Sequence, residues 1–202
     1  MLGYSIISLS DVYKELGEDK TKRILSEFSC PINIDVEQFI KFKAIEFEKQ
    51  SIARTQLVYA SYKTTNVLVA YYSLANKAVI IKKELLNAKW RKRMNRFSQS
   101  YYDKDYFLVS LPLIGQISKN FNNDYNTLIT GDELLLLACN TVRSALSIIG
   151  GRFVYLECEN KPKLIDFYFD NGFVEFGKRL IERDERNTMS GEVLMQMLKW
   201  LD

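Results

Sequence analysis

The chain contains no histidine. Ser-His-Asp and Cys-His catalysis, HExxH zinc hydrolysis and any imidazole general base are therefore excluded. An enzyme built from this sequence must work with Tyr, Glu, Asp, Lys, Cys or backbone groups. Cysteine is scarce too: Cys30, Cys139 and Cys158 are too few and too scattered for a disulfide framework, and no CxxC pair exists to hold zinc. No metal is expected, and a reducing, cytoplasmic home fits these thiols. No apolar run approaches the roughly 18 residues of a membrane span, and Met1 to Leu9 alternates briefly before turning polar at Ser10-Asp11, unlike a leader. No membrane contact is expected. An excess of one charge is also missing, with 28 Lys and Arg against 25 Asp and Glu, so global charge selects no partner.

What is present is an ordinary globular composition, 47% hydrophobic over 202 residues, enough for one substantial domain with a core. The pattern predicts a strand over 2–9, a helical stretch over 10–25 interrupted by Gly17, and loop chemistry around Pro31. Asp35 is placed to cap an amphipathic helix with Val36, Phe39, Ile40, Ala44 and Phe47 on its apolar side. Runs over 55–60 and 67–74 read as a hairpin whose polar turn, 61–66, is longer than two residues. The apolar stretch 106–118 belongs inside a sheet, and its Pro112 and Gly115 call for a bulge or a splayed strand. After the polar loop 119–130 comes a helix from Asp132 to about Ile149, with Leu134, Leu135, Ala138, Val142, Leu146 and Ile149 as its buried stripe. Its N-terminus offers amides and partial positive charge to a phosphate.

Two stretches draw chemical interest. Between Lys82 and Arg96, seven residues (Lys82, Lys83, Lys89, Arg91, Lys92, Arg93 and Arg96) are cationic against one acid, Glu84, with Trp90 among them. The pattern is that of a solvated charged face or of a surface for phosphates or RNA. From Phe153 to Phe173 the chain reads as a strand, a helix with Asn160 as N-cap and Pro162 in its first turn, and a stop at Gly172. The helix carries Leu164, Phe167, Tyr168 and Asn171 on one side, so a phenol arrives on an otherwise apolar face. Strands over 174–177 and 193–201 follow, separated by a charged connection.

The element order, the loop with Gly131 at a helix start, and above all Phe167-Tyr168-x-x-x-Gly172-Phe173 resemble the GNAT acetyltransferases, over roughly residues 55–201. The segments FSCPINIDVEQFI, ARTQLVY, AYYSLA and LPLIGQIS resemble the tRNA-acetylating toxins of bacterial toxin–antitoxin modules. The resemblance implies an α/β (α+β) fold: a single GNAT-like domain with a mixed, mostly antiparallel twisted sheet, a splayed central strand pair and flanking helices. Residues 1–50 would form its N-terminal part and 82–105 a basic insertion.

It further implies acetyl-CoA as co-substrate, with backbone groups of Ile117, Ser118 and Lys119 pairing with the pantetheine. The window Asn126, Thr127, Leu128, Ile129, Thr130, Gly131 falls on the family's pyrophosphate loop, although only the last glycine matches, and Asp132 and Asn160 complete the implied cofactor set. Tyr168 matches the family's proton donor to the leaving thiolate. Glu157 and Glu159 flank the more deeply packed Cys158, and Glu157 is the expected base. The function so implied is direct N-acetylation of a primary amine on a small molecule, peptide or aminoacyl-tRNA. The alternatives are a toxin acting on aminoacyl-tRNA, which the basic 82–96 segment suits, and a non-catalytic acetyl-CoA- or partner-binding module. A homodimer is compatible with all three.

Overall fold

The computed structural model describes residues 3–102, 104–183, 185–188 and 191–202. They form two compact units, one of residues 1–75, 114–138 and 187–189, the other of 76–113, 139–186 and 190–202. Strands follow the order β1-β2-β3-β5-β6-β8-β7, with β4 paired to β5, in a mostly antiparallel sheet.

The first unit begins with β1 (Tyr4–Ser8), antiparallel to β2 (Arg54–Tyr62). The expected first strand is shorter than 2–9: Leu9 already opens α1 (Leu9–Leu16), because the Ser8 hydroxyl accepts from the Ser10 amide, and Leu2 lies outside the described residues. Gly17, at φ 77°, ends α1 and starts α2 (Glu18–Ser26). The next helix is capped by Asn33, whose side chain accepts from the Asp35 amide. Asp35 is therefore no cap; it sits in the first turn of α3 (Ile34–Gln38) and is buried. A π-helical turn, Phe39–Lys43, joins α3 to α4 (Ala44–Lys49). This spacing sends Phe39, Ile40 and Ala44 into a core with Leu9, Leu25, Phe28, Leu57 and Tyr71. Tyr71 is fully buried and satisfies its hydroxyl on the Val36 carbonyl at 2.5 Å.

The hairpin from β2 to β3 (Thr65–Lys82) differs from expectation in its turn, since Tyr62 pairs with Thr65 and only Lys63 and Thr64 remain between the strands. Both have positive φ, 45° and 75°, as a two-residue primed turn demands. The sequence hides this because neither residue is Gly, Asn or Asp.

The second unit holds the basic excursion. Asn87 caps α5 (Ala88–Met94) by accepting from the Trp90 amide. Trp90 is core, not surface: with Met94 it packs among Phe107, Phe153, Tyr155, Phe176 and Leu198. β4 (Gln99–Tyr101) pairs antiparallel with the start of β5 (Tyr106–Lys119). Along β5 the buried positions are 107, 109 and 111, then 114 and 118. The alternation changes phase between Leu111 and Ile114, around Pro112, where the ladder was expected to bulge.

α6 (Gly131–Ile149) buries the predicted stripe except Ile149, which is 72% exposed at the C-terminal turn. β6 (Phe153–Glu159), α7 (Pro162–Asp170), β7 (Val174–Leu180) and β8 (Val193–Trp200) follow, with β8 antiparallel to both β6 and β7.

Candidate active site

Tyr168 stands in the last turn of α7, with Pro162 opening the helix at its first position. The cap is Lys161 and uses no side chain; Asn160, the expected cap, is exposed. At the other end Gly172 takes φ 78°, a conformation that strains any other residue, and the Phe173 amide donates to the Tyr168 carbonyl at 3.0 Å. The Tyr168 ring meets Phe167 and Phe173 edge-on, at centroid distances of 5.2 and 5.7 Å. Burial, and secondarily the neighbouring Cys158, raises the phenol's pKa above its ordinary value, so it keeps its proton through neutral pH. Cys158 is itself pushed up to about 12 by burial, which leaves it a thiol packed as a small hydrophobe.

Glu157, on β6, pairs across the ladder with Gln196, whose Nε2 donates to Glu157 Oε1 at 2.9 Å. The other oxygen accepts from Arg179 Nε at 2.5 Å, while the two terminal nitrogens of Arg179 grip Glu185 at 2.7 Å each. Glu185 first, then Glu157, holds the guanidinium firmly charged. No local pattern marks this clamp: Arg179 lies on β7, where the sequence reads as a charged connection of mixed sign. Glu159, on the same side of the strand, is salt-bridged to Lys161 at 2.6 Å.

The first unit gathers Ile117, Ser118 and Lys119 at the end of β5 with the loop that follows. Ser118 is buried, and Lys119 Nζ donates to the Asn126 carbonyl at 3.0 Å, which ties the strand end to the loop. Within the loop, Thr127 Oγ1 donates to the Asp124 carbonyl at 2.7 Å and Ile129 is buried. The start of α6 is a capping box. Thr130 Oγ1 accepts from the Glu133 amide at 3.1 Å, while the Thr130 amide and hydroxyl both donate to Glu133 Oε2 at 2.9 Å. Thr130 thereby holds the Glu133 carboxyl below its usual range. Tyr4 stands beside it: its hydroxyl donates to the Leu128 carbonyl at 3.0 Å, and burial followed by Glu133 pushes its pKa up to about 12.

A lysine, two threonine hydroxyls and a helix start that opens on Gly131 make a donor set that suits a diphosphate. Each of these side chains already donates within the loop, and the Glu133 carboxylate, seated on the Thr130 amide and hydroxyl, is the negative group that a phosphate must displace.

The cations of 82–96 fall into two kinds. Lys82 is salt-bridged to Glu84, Lys83 lies over the Phe107 ring at 4.8 Å, and Arg93 lies over the rings of Trp90 and Trp200 at 5.7 and 4.6 Å. Lys83 and Arg93 are part of the packing, while the Lys82 pair lies at the surface. Lys89, Arg91, Lys92 and Arg96 are exposed and make no salt bridge among the described residues.

No protein-family model matches the chain, and no curated protein matches it. Solved structures do. AtaT complexed with acetyl-methionyl-tRNAfMet is 15% identical, covers 96% of this chain and 94% of its own, and superposes with a TM-score of 0.61. A tyrosine-to-phenylalanine mutant of KacT is 15% identical over 95% and 93% of the chains, with a TM-score of 0.60. AtaTR bound with AcCoA is 17% identical over 95% and 91%, with a TM-score of 0.55. The fold is that of the GNAT toxins. The GNAT-like sheet expected from Phe167-Tyr168 and Gly172-Phe173 is thus the observed one, and the likeness takes in residues 1–50 as well.

Proposed function

We propose that this chain transfers the acetyl group of acetyl-CoA to a primary amine, and that the amine is the α-amino group of an aminoacyl-tRNA. The observation that carries the reading is Tyr168: a buried phenol that keeps its proton, on the helix before Gly172-Phe173. The chain around it has the fold of AtaT, which is solved with an acetylated aminoacyl-tRNA. In KacT, too, a tyrosine is the residue replaced in one solved structure.

Acetyl-CoA supplies an acyl group already activated as a thioester. The amine nitrogen attacks its carbonyl carbon directly; a C–N bond forms and the C–S bond breaks. Tyr168 gives its hydroxyl proton to the departing thiolate. The proton shed by the nitrogen goes to Glu157, directly or through water, and Arg179 and Gln196 hold that carboxylate in one orientation. Backbone groups of Ile117, Ser118 and Lys119 hold the pantetheine, and their amides meet the negative charge that grows on the carbonyl oxygen. Lys119, Thr127, Thr130 and the Gly131 amide hold the diphosphate, with Asn126, Ile129 and Asp132 shaping the loop. The exposed cations Lys89, Arg91, Lys92 and Arg96 take the phosphates of the tRNA.

The test is labelled acetyl-CoA incubated with total tRNA, charged and uncharged. Label should enter only the charged pool and leave with the amino acid on deacylation. No label in charged tRNA overturns the aminoacyl-tRNA reading, and no label in a panel of peptides and small amines as well overturns the transferase. Changing Arg91 and Lys92 to Glu should raise the KM for charged tRNA about tenfold and flatten its salt dependence.

A further inference from the structure

Gln116 lies on β5 beyond the change of phase, inside the first unit. Its Nε2 donates to Asp35 Oδ2 at 2.9 Å, and Asp35 Oδ1 accepts from Thr188 Oγ1 at 2.8 Å. The carboxamide has one sensible orientation, because turning it over would set its oxygen against a carboxylate. Gln116 Oε1 is then left buried, with no donor among the described residues. An acceptor stranded in this way is destabilising and calls for an explanation.

The carboxylate beside it has a matching deficit. Asp35 is only 8% exposed, yet no cation pairs with it among the described residues. Lys41, in the π-turn that follows α3, is engaged with Glu37 at 2.7 Å, and Lys119, on the strand of Gln116, donates to the Asn126 carbonyl at 3.0 Å. The Tyr71 phenol, raised well above its ordinary value by burial and then by Asp35, is a neighbour of the carboxylate that supplies no positive charge. A mostly buried anion without a counter-ion next to an acceptor without a donor is an unstable arrangement for structure alone. A third feature lies close by: the helix that carries Asp35 changes to π geometry at Phe39–Lys43, a rare distortion that gathers at functional sites.

One compact group satisfies both deficits: a positive charge bearing at least two N–H donors. We propose that Asp35 and Gln116 form the docking point for the acceptor's primary ammonium, with Gln116 Oε1 and the open lone pair of Asp35 each taking an N–H; the ammonium then loses one proton to water, and the neutral amine attacks. This deepens the transferase reading and rests on it for the identity of the amine. Thr188 and the Gln116 Nε2 group hold the carboxylate in place. Neither Asp35 nor Gln116 stands out in the sequence, where the first passes for a helix cap and the second for one polar residue in an apolar strand.

The test uses puromycin, an aminoacyl nucleoside with a free α-amino group, and its N-acetyl derivative, with binding read by calorimetry. The protein should bind puromycin and bind the N-acetyl derivative at least tenfold more weakly. Asp35→Asn and Gln116→Met should each weaken puromycin at least tenfold, raise the KM for charged tRNA to match, and leave acetyl-CoA binding unchanged. No puromycin binding, equal binding of the two ligands, or unchanged affinity in a folded variant overturns the proposal. Should Asp35→Asn fail to fold, Gln116→Met and the comparison of the two ligands still decide. Labelling of charged tRNA with unaltered KM in both variants would sink this site and leave the transferase standing. Asp35-dependent puromycin binding without any acetylated acceptor would do the reverse.

Discussion

Tyr168 is buried enough to keep its proton, and the proposed transfer needs an acid. The same burial that suits a core tyrosine therefore suits a donor to a thiolate, and only kinetics separates the two roles. Tyr168→Phe keeps the ring contacts with Phe167 and Phe173 and removes one hydroxyl. Turnover should fall about 100-fold, the usual share of a general acid, while acetyl-CoA affinity and the unfolding midpoint stay unchanged. A variant as fast as the parent would show that Tyr168 is packing only. Glu133 is the second residue with two readings. Its carboxylate caps α6 through Thr130 and stays anionic at neutral pH. Glu133→Gln preserves the cap's shape and removes a negative charge where the diphosphate is proposed to bind. Acetyl-CoA should bind several-fold more tightly at low salt, at a stability cost of about 0.5–1 kcal/mol. Weaker binding in that variant would mean that the diphosphate lies elsewhere.

The elements carry their own test in the turn from β2 to β3. Lys63 and Thr64 both hold positive φ, and a β-branched threonine is strained there. Replacing Lys63-Thr64 by Asn-Gly should stabilise the protein by about 1 kcal/mol in urea unfolding, and a loss of stability would contradict the two-residue register. This turn also shows where the sequence stops being legible. Helix and strand identity followed from periodicity, and the stop at Gly172 and the change of phase near Pro112 followed from residues with only one or two backbone options. A turn forced on ordinary residues by strand pairing leaves no such mark. Burial of Trp90 under a cationic surface leaves none either, because a helix with cations on several sides hides which side is packed. Among the candidate residues, Tyr168 stands out in the sequence through its glycine and aromatic neighbours. The Arg179 clamp on Glu157 and the pair Asp35–Gln116, 81 residues apart in the chain, depend on strand register and on contacts that no local pattern records.

At the scale of the whole molecule, the missing histidine sets how stability answers to pH. No imidazole is present to titrate near pH 6.5. On the acid side, Glu37, held low mainly by Lys41, and Glu133, held low by Thr130, favour the folded state once ionised, and that contribution is lost as pH falls through their depressed folded values. On the alkaline side the sign is reversed. Burial raises the thiols Cys139 and Cys158 and the phenols Tyr4, Tyr59, Tyr71, Tyr155 and Tyr168. The unfolded chain then gives up these protons first, from about pH 8.5 for Cys and about pH 10 for Tyr, so it binds fewer protons than the folded one. Stability should hold level between pH 6 and pH 8, begin to fall above about pH 8.5 and fall steeply beyond about pH 10. Urea midpoints at these values check it: a midpoint that moves between pH 6 and 8, or holds level to pH 10.5, would mean that these groups are open to water in the folded protein and that the core around Tyr71 and Tyr168 is looser than their burial implies.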